Sequence, residues 1–300
     1  MKALQFTEYG GPEVLTVSDA PEPHAGPGQI RIAVKASSVN GMDRKTRSGM
    51  LSGGKPLTEP IVLGFDAAGV VDEVGEGVTD VSVGDDVLGQ GSHTAAEYAV
   101  LTTWARKPAS LDWSVAAGAA VVGETAERGL RLLGVKAGDT VFIDGGAGGV
   151  GSVAAQLAVA RGATVIASAS QDNHDYLREI GATPVLYGEG LVNRVRAVPG
   201  APIDAVLDVA GKTPIEDLIA LAPEPSQVVT IANYGAGEAG ARVSTGGAEA
   251  HHEDALALGA QLLADSRLVI KVQTFPFDRF DEAYRIIESG HVRGKVVLVP

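Results

Sequence analysis

The segment 143–152, with the sequence IDGGAGGVGS, constrains the fold more than any other part of the chain. It follows the apolar strand pattern of residues 140–144 and leads into a helical pattern. Within it, Gly146, Gly148 and Gly151 satisfy G-x-G-x-x-G. In a strand–loop–helix unit, these glycines permit a tight turn, close approach of the backbone to a diphosphate, and close packing of the helix on the sheet.

The spacing alone would also fit a surface turn, because the chain has 39 glycines. The flanking strand and helix favour a dinucleotide site, since the free N–H groups of a helix N-terminus attract phosphate. The cofactor-binding residues predicted in this loop are Gly146, Gly148, Gly149, Val150 and Gly151.

The pattern around this loop predicts an α/β fold with a doubly wound parallel sheet. From about Leu111 to residue 260, strand patterns such as 163–168, 205–209 and 227–231 alternate with helical patterns. Such repeated strand–helix units are typical of a Rossmann domain. The first hundred residues instead contain short strand patterns separated by Gly, Pro and Asp, which indicate a small open or closed barrel.

Composition and charge exclude several classes of function. The chain has 37 acidic and 24 basic residues, a net charge of −13, and no long basic run, which argues against nucleic acid and anionic membranes as partners. No apolar run approaches the ~20 residues of a spanning helix. The first eight residues lack a signal-peptide pattern. We therefore expect a soluble, cytoplasmic protein.

The absence of cysteine excludes disulfides, thiolate metal sites and cysteine nucleophiles. His251 and His252 are adjacent, and neighbours on a regular element point apart, so together with His93 they do not suggest a metal site. We predict no bound metal. A serine hydrolase is also disfavoured, because no Gly-x-Ser-x-Gly sequence lies between a strand and a helix.

The end of the strand after the glycine loop indicates the cofactor. Enzymes that favour NAD usually carry Asp or Glu about 20 residues after the loop, to bind the ribose 2′-hydroxyl. Here the strand ends in residues 168–171, SASQ, with no carboxylate, so the sequence predicts NADPH. Ser170 is a candidate donor to the 2′-phosphate, and Asn173 or His174 could add others. Two points oppose this: His174 could be a solvated helix-start residue, and Asp172 is unfavourable beside a phosphate.

Taken end to end, the sequence resembles the medium-chain dehydrogenase/reductase superfamily and, within it, the zinc-independent quinone oxidoreductases. The segments that carry the resemblance are 2–6 with 9–15, 38–43 with 47–49, 123–126, 141–151 and 291–298.

Several positions depart from related enzymes. Zinc-dependent relatives carry a cysteine within segment 40–43, Gly-His-Glu where this chain has Gly64-Phe65-Asp66, and a four-cysteine lobe that is absent here. Enoyl-thioester reductases carry a proton-donating tyrosine where this chain has Met50. Relatives that use NADPH often have Lys or Arg near residues 171 and 172, and the acidic, glycine-rich region 234–253 matches poorly.

The resemblance implies a β-rich GroES-like partial-barrel domain, residues 1–115 plus 265–300, and a Rossmann domain, residues 116–264. It implies hydride transfer from NADPH, without zinc, to a quinone or related conjugated carbonyl. The alternatives are an NADPH-dependent enone or enoyl reductase, or a cofactor-binding sensor without turnover. Relatives usually pair through the edge strand of the nucleotide domain, so a homodimer is expected.

The resemblance also suggests roles for individual side chains. Asn40 is the candidate catalytic residue in contact with nicotinamide or acceptor, although it could equally be a turn residue bonded to its own backbone. Thr125 would support the nicotinamide end of the cofactor, although it could instead be an ordinary residue of the helix interior. Tyr187 would pack near the adenosine. Arg293 and Lys295 could meet cofactor phosphate or acceptor, but a solvated turn would also explain them. Asp43 and Asp66 are expected to be hydrogen-bonded structural acids.

Overall fold

The computed structural model describes residues 1–200, 202–246, 253–290 and 292–300. The strands are β1 (Lys2–Phe6), β2 (Thr16–Asp19), β3 (Ile30–Val39), β4 (Ile61–Val62), β5 (Asp66–Val74), β6 (Asp86–Ser92), β7 (Tyr98–Arg106), β8 (Thr140–Asp144), β9 (Thr164–Ala169), β10 (Thr183–Leu186), β11 (Ala205–Asp208), β12 (Val228–Thr230), β13 (Arg242–Val243), β14 (Val272–Pro276) and β15 (Lys295–Val299). The helices are α1 (Gly41–Arg47), α2 (Trp113–Leu132), α3 (Gly149–Ala160), α4 (His174–Glu179), α5 (Leu191–Arg196), α6 (Ile215–Ile219), α7 (Glu253–Ala264) and α8 (Phe280–Ser289).

The chain divides into two units. One comprises Met1–Val121 and Leu256–Pro300, and the other comprises Val122–Ala255. In the first unit a sheet runs β14-β15-β3-β5-β6-β7, and β3 also pairs with β7. This return pairing closes β3, β5, β6 and β7 on one another, which confirms the predicted β-rich barrel.

Alternating burial along β3 explains how the barrel acquires its core. Ile30 and Ile32 are fully buried, whereas the intervening Arg31 is partly exposed. This period of two is expected for a strand with one face toward the interior. Val71 and Leu101 pack into the same cluster from the paired strands β5 and β7.

An ion pair fixes α1 against α8 in this unit. Arg47, in the segment singled out from the sequence, is 1% exposed and pairs with Glu288. Its Nε also donates to the carbonyl of Gly10 at 3.1 Å, and its guanidinium lies over the ring of Tyr284. Arg47 therefore serves to anchor the helix that begins just after Asn40.

The second unit is a doubly wound parallel sheet, as the sequence predicts. Its strand order is β10-β9-β8-β11-β12-β13, and all of these neighbours pair in parallel. Fully buried residues from successive strands, among them Phe142, Ile166, Val206 and Val228, form its core. The winding direction reverses between β8 and β11, and ligands of such sheets bind outside the carboxyl ends of the strands at this point.

The poorly matching region 234–253 contributes a strand to the Rossmann sheet. Strand β13 lies within it and extends the parallel sheet at its edge. Residues 247–252, including His251 and His252, lie outside the described residues, as does His291. No helix of the described ranges is both long enough and apolar enough to cross a membrane.

Candidate cofactor and active site

Two of the three motif glycines are required by packing inside the loop. A Cβ on Gly146 would lie 2.5 Å from the Cβ of Ala167 on β9, and one on Gly151 would lie 2.2 Å from the carbonyl oxygen of Gly145. Neither distance leaves room for a carbon atom. The tight turn after β8 and the close approach of α3 to the loop therefore account for these two residues.

Gly148 has no such internal reason. Its φ of −73° suits any residue, and a Cβ there would meet only the Gly145 carbonyl oxygen, at 3.6 Å, among the described residues. Gly148 is the N-cap of α3, and no described side chain caps this helix. A bare backbone at an uncapped helix start fits a diphosphate, which needs close approach and free N–H groups.

The carboxyl end of β9 presents neutral side chains. Ser170 directly follows the strand, and its Oγ accepts a hydrogen bond from Asn173 Nδ2 at 3.0 Å. His174 is 7% exposed, so it is not the solvated helix-start residue that the sequence left open. Its Nε2 is buried and has no hydrogen-bond partner among the described residues. Tyr187, which follows β10, is exposed.

Thr125 lies on α2 in a buried polar cluster of the second unit. Its hydroxyl donates to Glu124 at 3.3 Å and accepts from Arg128 Nη2 at 3.4 Å. Arg128 Nε also donates to Glu124 at 2.8 Å, and its Nη1 bonds Ser244, which follows β13. Sequence reasoning missed Arg128, although its spacing four residues after Glu124 is the usual signal for a helical ion pair.

Asn40 lies in a buried hydrogen-bonded cluster of the first unit. Lys295 Nζ donates to Asn40 Oδ1 at 2.6 Å, and Asn40 Nδ2 donates to Asp66 Oδ1 at 2.7 Å. Strand pairing explains the meeting, because Val296 of β15 stands opposite Val39 of β3. Both ends of the Asn40 carboxamide are therefore held, and its orientation is fixed.

Asp66 is the shared acceptor of this cluster. It is fully buried and also accepts from Ser38 Oγ and, at 3.1 Å, from the backbone N–H of Val121. Lys295 is 4% exposed, and burial lowers the pKa of its ammonium, while the charges of Asp66 and Asp43 oppose that shift. The ammonium thus lies inside the protein between an amide and two acids.

Asp43 completes the cluster at the start of α1. Its two carboxylate oxygens accept the backbone N–H groups of Gly64, at 2.8 Å, and Asn40, at 2.7 Å. Burial raises the pKa of Asp43 to about 7, and the charge of Asp66 acts in the same direction. These bonds suit the structural role that the sequence suggests for both acids.

Arg293 and Lys295 have different surroundings, although the sequence treats them alike. Lys295 is buried, as described, whereas Arg293 is exposed. Met50, at the position of the proton-donating tyrosine of enoyl reductases, is 66% exposed.

The donor set for a metal is limited. Within the four described ranges, no three His, Asp or Glu side chains form a group that could hold a metal ion. Segment 40–43, within which zinc-dependent relatives carry a cysteine, contains none here, and Phe65 stands in place of their histidine, so neither place offers the usual zinc ligand. These residues do not fit a catalytic zinc.

Two family models match the chain. One is described as an alcohol dehydrogenase GroES-like domain and matches residues 26–103. The other is described as a zinc-binding dehydrogenase and matches residues 180–298. A chloroplastic NADPH-dependent alkenal/one oxidoreductase of Arabidopsis thaliana is 31% identical over 319 residues, covering 100% of this chain and 80% of the relative. The chain belongs to the medium-chain dehydrogenase/reductase superfamily.

Solved structures of this superfamily share the whole fold. The quinone oxidoreductase of Coxiella burnetii is 33% identical, with a TM-score of 0.85, and the match covers 100% of this chain and 99% of that one. The Escherichia coli quinone oxidoreductase in complex with NADPH is 25% identical, with a TM-score of 0.87 and full coverage of both chains. Both similarities extend through the barrel and the Rossmann units.

Proposed function

We propose that this protein is an oxidoreductase that uses NADPH to reduce a quinone or a related conjugated carbonyl, without zinc. The observation that carries the proposal is Gly148 at the uncapped start of α3, which is a glycine although a Cβ there would make only an ordinary 3.6 Å contact with the Gly145 carbonyl oxygen. NADPH, when bound, supplies a hydride from C4 of its nicotinamide. The balanced reaction consumes one NADPH and one proton for each quinone reduced to hydroquinone.

The end of β9 supports NADPH over NADH. No carboxylate stands at residues 168–171, Ser170 offers a hydroxyl, and the buried Nε2 of His174 lacks a partner among the described residues. We assign Ser170 and His174 to the 2′-phosphate, the residues of segment 146–151 to the diphosphate, and Tyr187 to the adenosine. The Arabidopsis relative is named as NADPH-dependent, and the E. coli quinone oxidoreductase structure is a complex with NADPH, both of which agree with this assignment.

The zinc-free character rests on chemistry of the chain itself. It has no cysteine, so segment 40–43 lacks the thiolate ligand of the zinc-dependent relatives, and Phe65 replaces their histidine. Hydrogen-bond donors must then polarise the carbonyl of the acceptor. Orientation of the acceptor against the nicotinamide and exclusion of water supply much of the rate of hydride transfer. We assign Asn40, held by Lys295 and Asp66, to the catalytic site, and Thr125 to the nicotinamide end of the cofactor.

A binding assay followed by turnover tests this function. NADPH fluorescence should change on addition of the protein, and NADPH should then be oxidised when 1,4-benzoquinone or 9,10-phenanthrenequinone is added. Tight binding with no oxidation across a panel of quinones and enones would instead establish a cofactor-binding sensor. Inductively coupled plasma mass spectrometry of the active protein should find no stoichiometric zinc.

Reduction of an enone is the second candidate, because the Arabidopsis relative is named for alkenals and alkenones. The same hydride would pass to the β-carbon of an α,β-unsaturated carbonyl, and a proton would complete the saturated product. Comparing kcat/KM for quinones and for α,β-unsaturated ketones separates the two candidates. A larger value for the ketones would make quinone reduction secondary.

Assembly and location complete the proposal. We propose a homodimer, as in relatives that pair through the nucleotide domain, in the cytoplasm, with no nucleic acid or membrane partner. Light scattering coupled to gel filtration measures the oligomeric state, and a monomeric mass would refute the dimer. The proposed domains are residues 1–115 plus 265–300 and residues 116–264.

A further inference from the structure

Lys295 is a buried cation whose only side-chain hydrogen bond within the described residues goes to a neutral group. The residue is 4% exposed, and its Nζ donates to Asn40 Oδ1 at 2.6 Å. The charges of Asp66 and Asp43 act on the ammonium from nearby, yet neither carboxylate forms an ion pair with it. Burying an ammonium costs free energy that a neutral side chain of the same length would not, so packing alone does not explain Lys295.

Paired strands fix the distance between Lys295 and Asn40. Lys295 is the first residue of β15, which lies between β14 and β3, and Asn40 directly follows β3. The backbone N–H of Asn40 is also held, because it donates to the carboxylate of Asp43 at 2.7 Å. Both ends of the Lys295–Asn40 hydrogen bond therefore start from rigid backbone, which a contact that orients a side chain requires.

The two partners of the Asn40 amide are of opposite kinds. A lysine ammonium has three donors and no acceptor, so it bonds to the amide oxygen and not to the amide nitrogen. The nitrogen then faces Asp66, where Nδ2 donates to Oδ1 at 2.7 Å. Lys295 and Asp66 together therefore select one of the two orientations of the amide.

This orientation leaves one N–H of Asn40 for a ligand. Nδ2 carries two hydrogens, and Asp66 accepts one of them. The carbonyl oxygen and the Oγ of Ser38 lie 3.4 and 3.3 Å from Nδ2, which is longer than the usual range of about 2.7–3.2 Å. Asn40 is 9% exposed, whereas Asp43 and Asp66 are fully buried, so Asn40 is the member of the cluster that reaches the surface. The group that the cluster presents is thus a hydrogen-bond donor.

A donor at this position suits the proposed reaction. When a conjugated carbonyl compound accepts a hydride, negative charge develops on its oxygen, and a fixed N–H aimed at that oxygen stabilises the transition state. The hydrogen bond from the Lys295 ammonium draws electron density toward Asn40 Oδ1, which makes the amide N–H a stronger donor.

We propose that Lys295 is a positioning residue, which fixes and polarises the Asn40 amide so that its second N–H donates to the carbonyl oxygen of the acceptor. The inference rests on the proposed function, since it assumes hydride transfer to a carbonyl compound and Asn40 at the catalytic site. It gives Lys295 a role in the chemical step instead of the contact with cofactor phosphate that the sequence suggests.

A double-mutant cycle on kcat tests this role, with 1,4-benzoquinone as the acceptor. Lys295→Met keeps the length of the side chain and removes the donor, and we expect kcat to fall about tenfold, as for one lost hydrogen bond. Asn40→Ala removes the donor to the acceptor, and kcat should fall about a hundredfold. In the Asn40→Ala background, Lys295→Met should have no further effect, because Lys295 acts only through Asn40.

Three further measurements separate positioning from other roles. The NADPH dissociation constant of Lys295→Met should match that of the wild type, whereas loss of a contact with cofactor phosphate would raise it. Lys295→Gln keeps an uncharged donor for Asn40 Oδ1 and should recover part of kcat. Lys271→Met is the matched control, because it removes an exposed cation whose backbone carbonyl accepts the N–H of Lys295. Its kcat should equal that of the wild type.

Two results would overturn the inference while leaving the proposed function standing. One is the same fold loss of kcat for Lys295→Met in both backgrounds, as a general structural role would give. The other is an unchanged kcat of Lys295→Met, with or without weaker NADPH binding. If circular dichroism shows that Lys295→Met does not fold, the cycle with Lys295→Gln decides by the same criterion. A wild type that oxidises no NADPH with any quinone or enone would overturn both proposals.

Discussion

At the scale of single residues, the three motif glycines are of two kinds, those that packing within the loop requires and one that it does not. Gly146 and Gly151 are required by contacts within the protein, whereas Gly148 has room for a Cβ and an ordinary backbone conformation. The motif spacing marks all three alike. Only the positions of their neighbouring atoms show that Gly148 alone has no packing requirement, and we therefore assign it to the ligand.

Replacing Gly148 by valine should abolish cofactor binding without unfolding the protein. The side chain would occupy the space beside the start of α3, so the dissociation constant for NADPH should rise by more than about tenfold. Fluorescence titration measures the affinity and circular dichroism the fold. Gly259→Ala is the matched control, because Gly259 lies in a helix with nothing within 4 Å of a Cβ. Normal NADPH binding by Gly148→Val would refute the loop assignment.

A carboxylate at the end of β9 should reverse the cofactor preference. Ser170→Asp would repel the 2′-phosphate of NADPH and offer the ribose hydroxyls of NADH an acceptor. The ratio of kcat/KM for NADPH to that for NADH should fall about tenfold or more, since like charges at this range cost more than about 1 kcal/mol. Ser170→Asn, of the same size as aspartate but neutral and still a donor, should lower the ratio much less than Ser170→Asp does. A wild type that prefers NADH would contradict the assignment of Ser170.

Asp43 should make the fold less stable as the pH rises through the acid-to-neutral range. Its folded pKa of about 7 lies above the ordinary value of 3.8, so the folded state holds a proton that the unfolded state has lost. The contribution to the free energy of unfolding is present below about pH 4 and is lost by about pH 7, on the order of 4 kcal/mol at most. Urea unfolding at several pH values, compared with Asp43→Asn, isolates it. An identical pH slope in the variant would show that Asp43 does not titrate in this range.

At the scale of elements, strand pairing and helix docking assemble the two polar clusters. The pairing of β15 with β3 brings Lys295 to Asn40, which are 255 residues apart. Arg128 on α2 bonds Ser244 after β13, across 116 residues. Neither contact leaves a local pattern in the sequence, so spacing could not specify Asn40 as the partner of Lys295 or Ser244 as a partner of Arg128, although Arg128 itself carries the local i,i+4 signal with Glu124.

The Glu124–Arg128 pair should behave as a coupled unit in the unfolding of the second domain. Both side chains are largely buried, at 14% and 7% exposed, so Arg128→Met leaves a carboxylate without its cation and should cost about 3 kcal/mol. Glu124→Gln in the same chain should recover part of that loss. A double-mutant cycle by urea unfolding measures the coupling. Additive effects of the two substitutions would show that the pair does not interact in the folded state.

At the scale of the whole molecule, local patterns predicted the fold class and the nucleotide loop. Strand–loop–helix spacing at residues 140–160 is a local property of the sequence. Alternation of strands and helices also predicts a parallel sheet, because each helix can connect two neighbouring parallel strands. The return pairing of β3 with β7, the burial of His174 and the cluster around Asp66 depend on tertiary contacts. They could be described only from the structure.

The proposed reaction can be measured directly as NADPH oxidation in the presence of 1,4-benzoquinone. It is followed at the NADPH absorbance band for the wild type and for Gly148→Val, and the variant reports the uncatalysed background. We expect the wild type to oxidise one NADPH for each hydroquinone formed, at a rate that saturates with both substrates, and Gly148→Val to match the protein-free rate. A wild type that binds NADPH yet never exceeds that background, with any quinone or enone, would contradict the proposed reaction.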